Sequence, residues 1–340
     1  MIAPATESAA ESTLLAALGA AGLIAAGEAA QLTPLTGGVS CEVFRLDLPG
    51  RTLCVKRALG QLRVAADWQA SVDRSHNEVL WLRVAAAAGL CVPTVIAEVE
   101  QQHLFVMSYF DPATHRLWKT ELAAGRIDPA FAAAVGTALA QVHRATAGSA
   151  EYAAAFANDA LFAALRIDPF LHYPAAAHPD LAPRLGALAA RTAAARIALV
   201  HGDISPKNIL AGPDGPVFLD AECACYGDPA FDLAFCLTHL LLKSVWKPQW
   251  HAEYSTSFSA MRAAYLAGVN WESRATIDAR TAELVTALLL ARVDGKSPAD
   301  YLVTETDMAF VRAAARHFLH QPTLDLDRIA DGWATRLEHR

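Results

Sequence analysis

The sequence lacks the features typical of nucleic-acid-binding, secreted and membrane-spanning chains. Positive charge is scarce, because 28 Lys and Arg residues stand against 35 Asp and Glu residues and leave a net charge of −7. A general nucleic-acid binder needs a basic surface to displace counterions from phosphates, so we expect no nucleic-acid partner. The most apolar stretches, such as 235–242 and 284–291, are far shorter than a membrane span. No Lys or Arg precedes the apolar stretch 14–26, which argues against a signal peptide.

Paired cysteines are also missing. None of the six Cys residues belongs to a C-x-x-C motif, and a chain of 340 residues does not need disulfide staples. Cys223 and Cys225 could share a metal, but two buried thiols near the end of a strand are the favoured interpretation. We therefore expect a soluble, cytoplasmic protein in a reducing compartment, without a membrane partner, as a monomer or homodimer.

The composition and the periodicity predict an α+β fold in two lobes. Hydrophobic residues make up 54% of the chain, which is typical of a globular protein. The N-terminal lobe, residues 1–110, combines a helix that ends at Gly89 with four strand-like segments, at 42–48, 52–57, 94–99 and 103–108. The C-terminal lobe, residues 111–340, is mainly helical, with apolar spacing near 3.6 at 129–145, 180–195, 228–243, 249–267 and 274–293. A β-rich island at 200–220 interrupts these helices.

The strongest chemical signal is the run LVHGDISPKNIL at 199–210, followed by FLDAE at 218–222. An apolar strand delivers Asp203 into a loop, Asn208 follows five residues later, and a second apolar strand ends at Asp220. Phosphoryl transfer from ATP needs a base or orienter for the attacking hydroxyl and oxygen ligands for metal ions that bridge the phosphates. Carboxylate oxygen suits Mg²⁺. The alternative is a polar turn between two core strands, but order and spacing together favour a catalytic loop.

This motif resembles the aminoglycoside phosphotransferase and choline kinase superfamily, whose fold is that of the protein kinases. The superfamily's His-Gly-Asp-x-x-x-x-Asn pattern is matched at 201–208. The resemblance implies that Asp203 is the catalytic base. It also implies a Mg²⁺ site whose ligands are Asn208, Asp220 and Glu222, with Asp220 the principal one.

The same resemblance implies an ATP site in the N-terminal lobe. Gly37 and Gly38, with Ser40, precede the first strand, and paired glycines let backbone N–H groups approach phosphate oxygens. An ordinary loop is the alternative. Lys56 resembles the lysine that contacts the α- and β-phosphates, and Glu78 on the following helix is placed to be its partner, unless both are surface charges.

The segment FVMSYF at 105–110 stands where the superfamily has its adenine-binding hinge. The resemblance implies that backbone groups read adenine there, at the Ser108 carbonyl and the Phe110 amide, with Met107 lining the pocket. Without the resemblance, this segment is simply a buried strand.

Two further charged residues are of interest near the motif. Lys207 precedes Asn208 directly, so it either reaches the transferring phosphate or points into solvent. Asp232 belongs to a helix with Asp228 as its N-cap and Pro229 at its first position. We expect Asp232 to hydrogen-bond the backbone of the catalytic loop, in a supporting role.

The acceptor is less well indicated. The Asp-Ala-Glu triplet at 220–222 resembles methylthioribose kinase, where most of the superfamily has Asp-x-Asp. The segment 165–170 and the helix that carries Arg292 also stand where that enzyme has comparable segments. Arg292 could contact a substrate oxygen, although a position on the helix surface is the favoured interpretation. Asn208 departs from this branch, which typically has Ser there. We expect a small hydroxylated acceptor, with a sugar such as methylthioribose among the candidates.

An aminoglycoside or choline kinase, or another amino-alcohol kinase, is the alternative within the same chemistry. An acidic acceptor site would suit those cations, whereas Lys243, Lys247 and Arg292 make the corresponding region mixed in sign. This charge pattern argues modestly against a polycationic antibiotic.

Two other classes are less well supported by the sequence. A regulatory nucleotide-binding pseudokinase is expected to lose its catalytic residues, but all four main ones are present: Lys56, Asp203, Asn208 and Asp220. A protein kinase needs a peptide-docking segment, and the seven residues between Asp220 and Asp228 are too few for one.

Overall fold

The computed structural model of the chain describes residues 4–35, 41–60, 72 and 74–340. The chain divides into two compact units, one formed by Met1–Arg83 and Pro93–Asp111 and the other by Val84–Val92 and Pro112–Arg340. The first unit contains a β-sheet, and the second is mostly helical. The predicted α+β class is therefore confirmed.

The first unit is built on an antiparallel five-stranded sheet in the order β1-β2-β3-β5-β4. Its strands are β1 (Gln31–Leu35), β2 (Cys41–Leu48), β3 (Arg51–Ala58), β4 (Val95–Val99) and β5 (Leu104–Ser108). The four strands predicted from the sequence are present within one or two residues at each end, whereas β1 was not predicted. The register places Lys56 of β3 between Val43 of β2 and Phe105 of β5.

Two helices complete the part of this unit that the structure describes, α1 (Pro4–Ala20) and α2 (Arg74–Ala87). In α1, Leu14, Ala17 and Leu18 follow the spacing of one helix face, and they join a buried cluster with apolar side chains of the sheet. The helix α2 matches the predicted 75–88, and it carries Glu78, which is only 2% exposed. Burial of a carboxylate at this level requires a partner.

The second unit is mainly helical. Its α-helices are α3 (Trp118–Ala123), α4 (Pro129–Thr146), α5 (Ala150–Ala155), α6 (Asp159–Phe162), α7 (Tyr173–Ala177), α8 (Ala182–Ala194), α9 (Pro229–Trp246), α10 (His251–Gly268), α11 (Arg274–Asp294), α12 (Glu305–His320) and α13 (Leu326–Glu338). The helix α9 is buried along almost its whole length and lies at the centre. Gly136 allows α4 to approach α10 closely, because a Cβ atom there would lie 2.3 Å from the Met261 carbonyl oxygen. None of the helices in the described ranges is both long and apolar enough to span a membrane.

Short strands inside the second unit position the motif residues at 201–208 and 220–222. They are β6 (Arg116–Leu117), β7 (Ala198–Val200), β8 (Ile209–Gly212), β9 (Gly215–Phe218) and β10 (Cys225–Gly227). The order is β6-β8-β9 in one sheet and β10-β7 in the other, with antiparallel pairing throughout. The β-rich island of the sequence is thus a pair of small sheets, in which β7 leads into the loop of Asp203 and β9 leads towards Asp220.

Candidate active site

The centre of the candidate site is the loop between β7 and β8, which contains Asp203. A 3₁₀ turn at Pro206–Asn208 folds this loop back, so that the Asn208 Nδ2 atom donates to both the Oδ2 atom and the carbonyl oxygen of Asp203, at 2.9 and 3.0 Å. Asp203 itself is only 5% exposed. The spacing of five residues in the sequence is therefore the length of one closed turn, and the two side chains meet as the motif predicts.

Two cations lie against the same carboxylate. The Lys207 Nζ atom is 3.0 Å and the Arg166 Nη2 atom 3.2 Å from the Oδ2 atom of Asp203. Burial alone would raise the pKa of the Asp203 carboxyl, but Lys207 and Arg166 outweigh this effect and lower the pKa below its usual value. Asp203 is therefore ionised at neutral pH. Lys207 therefore contacts Asp203 while half of its side chain is exposed, and its contact with the transferring phosphate stays a prediction.

His201 connects the loop of Asp203 with the segment that precedes Asp220. Its ring is fully buried, its Nε2 atom lies 3.0 Å from the Leu219 carbonyl oxygen, and its Nδ1 atom accepts from the backbone N–H of Asp203 at 3.2 Å. Since one nitrogen accepts and the other donates, the ring is neutral, and burial lowers the pKa of His201 below its ordinary value. The imidazole thus acts as a fixed spacer between the two halves of the motif.

Asp232 of α9 holds the loop from behind. It is fully buried and accepts hydrogen bonds from the backbone N–H groups of His201, at 2.7 Å, and Gly202, at 2.8 Å. His143 of α4 lies 3.3 Å from the same carboxylate. These contacts are the ones the sequence predicts for Asp232, and they satisfy two buried backbone donors that have left strand geometry.

Asp220 has an unusual backbone conformation. Its φ angle of 67° lies in the left-handed region, which few residues other than glycine adopt and which Asp tolerates better than most. Such conformations are costly and are concentrated at functional sites. Glu222 follows at 9% exposure, and the charges of Asp220 and Glu222 both act on Arg166.

The chemistry of these side chains suits a hard cation such as Mg²⁺. Asn208 uses its Nδ2 atom for Asp203, so its Oδ1 atom is left without a hydrogen bond from any described residue. Asp220 and Glu222 add carboxylate oxygens. Among the described residues, the cluster of three His, Cys, Asp or Glu side chains close enough to bind one metal ion lies elsewhere, at His76, Glu98 and Glu100. A few protein oxygens with further positions left for phosphate and water is the arrangement that Mg²⁺ prefers.

Arg166 is the site residue that sequence reasoning missed. It lies in a ten-residue π-helix, Ala163–His172, which contains Pro169. Arg166 is only 8% exposed, and besides Asp203 its guanidinium donates to the carbonyl oxygens of Gly202 and Leu165. The signal in the sequence is its place in the segment 165–170, because apolar neighbours at adjacent helix positions do not indicate on which face an arginine lies.

We expect Arg166→Lys to lower kcat by about 10- to 100-fold while leaving the dissociation constant for ATP nearly unchanged. Lysine carries the charge, but its three donors share one nitrogen and do not reach the acceptors that the Nε, Nη1 and Nη2 atoms of Arg166 contact, so the carboxylate loses its fixed orientation. Steady-state kinetics and nucleotide titration measure the two effects. Arg274→Lys is the matched control, since Arg274 donates only to the Ala267 carbonyl at an exposed position. Equal kinetics for Arg166→Lys and wild type would contradict this role.

In the first unit, Lys56 and Glu78 form a buried ion pair. The Lys56 Nζ atom lies 2.6 Å from the Glu78 Oε2 atom, and both side chains are less than 8% exposed. The sequence alternative in which both are surface charges is thus excluded, whereas phosphate binding by Lys56 stays a prediction.

Of the remaining residues predicted for the ATP site, the structure describes those of the hinge segment but not those of the glycine loop. Met107 and Ser108 end β5, and Met107 is buried. The Ser108 backbone N–H donates to the Thr94 carbonyl at 2.9 Å. Phe110 follows two residues later. Gly37, Gly38 and Ser40 lie outside the described residues.

Arg292, near the end of α11, is half-buried. It bonds the carbonyl oxygen and, at 3.3 Å, the Oγ atom of Ser297, and its guanidinium lies 5.7 Å from the centre of the Phe170 ring. Arg166 lies 6.0 Å from the centre of the same ring. Arg292 and Arg166 therefore lie against the same Phe170 ring, and Arg166 contacts Asp203.

Comparison with protein families gives a match that covers most of the chain. The model described as "Phosphotransferase enzyme family" matches residues 31–279. Among curated proteins, the methylthioribose kinase of Pectobacterium atrosepticum is 28% identical over 219 residues, which cover 55% of this chain and 53% of that protein. The methylthioribose kinase of Klebsiella pneumoniae strain 342 is 30% identical over 214 residues, with coverage of 55% and 53%. The chain thus spans about half the length of the curated relatives it matches.

Solved structures show the same fold at low sequence identity. A choline/ethanolamine kinase family protein from Mesorhizobium loti matches with a TM-score of 0.56 and 19% identity, covering 91% of this chain and 94% of that chain. An amicoumacin kinase in complex with AMP-PNP and Ca²⁺ matches with a TM-score of 0.58 and 13% identity, covering 95% and 98%. The predicted protein-kinase-like fold is therefore confirmed.

Proposed function

Since the chain belongs to the phosphotransferase enzyme family, we propose that it is a kinase that transfers the γ-phosphate of ATP to a hydroxyl of a small molecule, with Mg²⁺. The observation that carries this proposal is the buried Asp203 carboxylate, oriented on its Oδ2 atom by Asn208, Lys207 and Arg166. A polar turn without catalytic function does not need three donors on one carboxylate oxygen. The curated relatives support a sugar such as methylthioribose as the acceptor class.

Asp203 is the proposed catalytic residue. None of its three side-chain contacts uses the Oδ1 atom, which is thus the oxygen that receives the acceptor hydroxyl. The hydroxyl oxygen bonds to the γ-phosphorus, the bond from that phosphorus to the β-phosphate oxygen breaks, and ADP leaves, while the hydroxyl proton passes to Asp203 and then to solvent. Because the transition state is loose, the proton is transferred late. A carboxylate with a lowered pKa therefore serves mainly to orient the hydroxyl.

Asn208, Asp220 and Glu222 are the residues proposed to hold Mg²⁺. An ion held by these three side chains would supply positive charge to offset the charge of the phosphates. Lys207 is proposed to add positive charge near the transferring phosphoryl group, from the half-exposed position where it already contacts Asp203.

In the first unit, Lys56 is proposed to bind the α- and β-phosphates, with Glu78 holding its ammonium group. We expect Lys56→Met to weaken ATP binding by about tenfold or more, because a charge-assisted contact is lost. Titration with a fluorescent ATP analogue measures this. Arg57→Met is the control, since Arg57 is the neighbour in β3 and pairs with Glu42 instead. Unchanged affinity in Lys56→Met would exclude phosphate contact by this lysine.

The proposed function is tested by a screen of hydroxylated metabolites coupled to ADP release. The panel includes methylthioribose, other pentoses, choline, homoserine and an aminoglycoside. We expect turnover above the ATPase background with a sugar-type acceptor. Turnover with choline or the aminoglycoside alone would favour the alternative amino-alcohol or antibiotic kinase, and no ADP release with any acceptor would contradict the proposal.

A further inference from the structure

A buried lysine close to the candidate site has no polar partner. Lys243 of α9 is 1% exposed, and its Nζ atom makes no hydrogen bond to any described residue. Two aromatic rings lie near the Nζ atom, which is 4.4 Å from the ring centre of Tyr301 and 5.2 Å from that of Trp246. Aromatic faces attract a cation but satisfy none of its three donors. Buried donors without hydrogen-bond acceptors are rare in native proteins, so the position of Lys243 requires an explanation.

Lys243 is one of several cations that converge on this part of the second unit. The His239 side chain, one turn earlier in α9, bonds the Tyr301 hydroxyl through its Nδ1 atom at 2.9 Å. Burial, and then the positive charges around it, lower the pKa of His239 well below its ordinary value; those charges belong to Arg292, Lys243, Lys207 and Lys119. The imidazole is therefore neutral in a region of positive potential.

The acidic groups nearby are already engaged. Asp203 is held by Arg166 and Lys207, and Asp300 is bonded to Lys119 at 2.6 Å. Neither Lys243 nor Arg292 has a carboxylate of the described residues within ion-pairing distance, and the Nε atom of Arg292 is buried without a partner. Burial first, and Lys119 next, lower the pKa of Lys243 to about 8, and the charge of Asp300 offsets this shift only in part.

Contacts link these cations to the catalytic carboxylate. Arg166 reaches Asp203 and lies by the Phe170 ring, which Arg292 also contacts. Phe170 in turn packs edge-on against Phe235, at 5.3 Å between ring centres, and Phe235 against His239, at 5.5 Å. The end of α11 is fixed against the π-helix, because the Pro169 carbonyl accepts from the Lys296 N–H at 3.2 Å. The two cations without a carboxylate thus lie in the neighbourhood of Asp203.

We propose that Lys243 and Arg292 form a subsite for an anionic group of the acceptor, a carboxylate or a phosphate, whose hydroxyl is phosphorylated at Asp203. This inference rests on the proposed kinase function and narrows its substrate class to sugar acids or sugar phosphates. The ion pair of Lys119 and Asp300 lies near these two cations, because both of its charges act on Lys243 and Asp300 also acts on Arg292. Asp300 is exposed, and an exposed pair of this kind contributes little to stability, so the anion of the acceptor can take the place of Asp300 at small cost.

The test compares acidic and neutral acceptors that differ in little else, in the full-length protein at constant ionic strength. The pairs are D-ribonate with ribitol and ribose 5-phosphate with ribose, so that carboxylate and phosphate are tested separately. Initial rates of ADP release give kcat/KM, and thermal denaturation with each compound gives a binding signal that does not need turnover. The wild type is compared with Lys243→Met, in which a side chain of similar length suits the aromatic surroundings. The control is Arg328→Met, which removes a positive charge from an exposed position on α13, where Arg328 pairs with Asp325.

We expect the wild type to prefer at least one acid over its neutral partner by tenfold or more in kcat/KM. Lys243→Met should lose this preference, with KM for the acid raised by about tenfold, while Arg328→Met keeps it. Preference for the neutral compounds in the wild type, or an acid preference that survives Lys243→Met, overturns the subsite and leaves the kinase proposal standing. If no compound releases ADP, but the acids alone raise the melting temperature and Lys243→Met abolishes the effect, the subsite stands and the kinase proposal fails. The absence of both signals overturns the inference.

Discussion

Asp203→Asn is expected to reduce kcat by about 10²- to 10⁴-fold while leaving ATP affinity within a few-fold of wild type. The substitution keeps the volume of the side chain but removes the charge that orients and accepts the hydroxyl proton, and loss of a positioned base has effects of this size. A group that acts in the transition state costs rate more than binding. ADP-release kinetics with the best acceptor, together with nucleotide titration, separate the two.

The control for this variant is Asp331→Asn, which makes the same chemical change at an exposed position on α13. It should retain wild-type kinetics. Full turnover by Asp203→Asn would show that the assigned mechanism is wrong. A parallel loss of ATP binding would indicate that the substitution disturbs more than the chemical step, because the geometry gives Asp203 contacts only within its own unit.

Asp232→Ala is expected to destabilise the second unit by about 3–5 kcal/mol, the effect of removing one partner from a buried charged network. The carboxylate accepts from the backbone N–H groups of His201 and Gly202 and contacts His143, and all of these groups are buried. Alanine leaves two backbone donors without an acceptor where water does not reach them. Urea denaturation measures the loss, and ADP release should fall as well, since the loop of Asp203 loses its support.

Asp128→Ala serves as the matched comparison. Asp128 caps α4 by accepting from the Ala130 N–H at 2.8 Å, but it does so at an exposed position. Loss of such a cap costs about 1 kcal/mol. If Asp232→Ala were no more destabilising than Asp128→Ala, the proposed support of the catalytic loop would be contradicted.

Much of the candidate site was predictable because its residues lie close together in the chain. The turn that joins Asp203 to Asn208 is five residues long, and strand patterns on either side of it are visible as apolar runs. The strands of the first unit and the main helices of the second follow from local periodicity in the same way. The N-terminal helix α1 was not predicted, since its apolar stretch fits more than one interpretation until the sheet that it covers is known.

Other features could not be predicted, because they depend on contacts between distant segments. Arg166 stands 37 positions before Asp203 and reaches it only through a π-helix, a rare form without a simple sequence pattern. A lysine near the end of a helix ordinarily faces solvent, but Lys243 is buried because α9 is buried along almost its whole length. Arg292 was placed in the acceptor region by resemblance alone, and its position beside Phe170 emerged from the fold.

The sequence by itself therefore indicated the type of chemistry that we propose, since phosphoryl transfer needs a short list of side chains that local spacing can display. It also determined the α+β class and the loop in which Asp203 lies. Only the tertiary structure decided how the Asp203 carboxylate is charged and held, and which buried cations have no carboxylate partner among the described residues, and the proposed acceptor class depends on these features. The reason is physical: hydrogen-bonded turns and hydrophobic periodicity act over a few residues, whereas burial and electrostatic potential are set by every segment packed around a group.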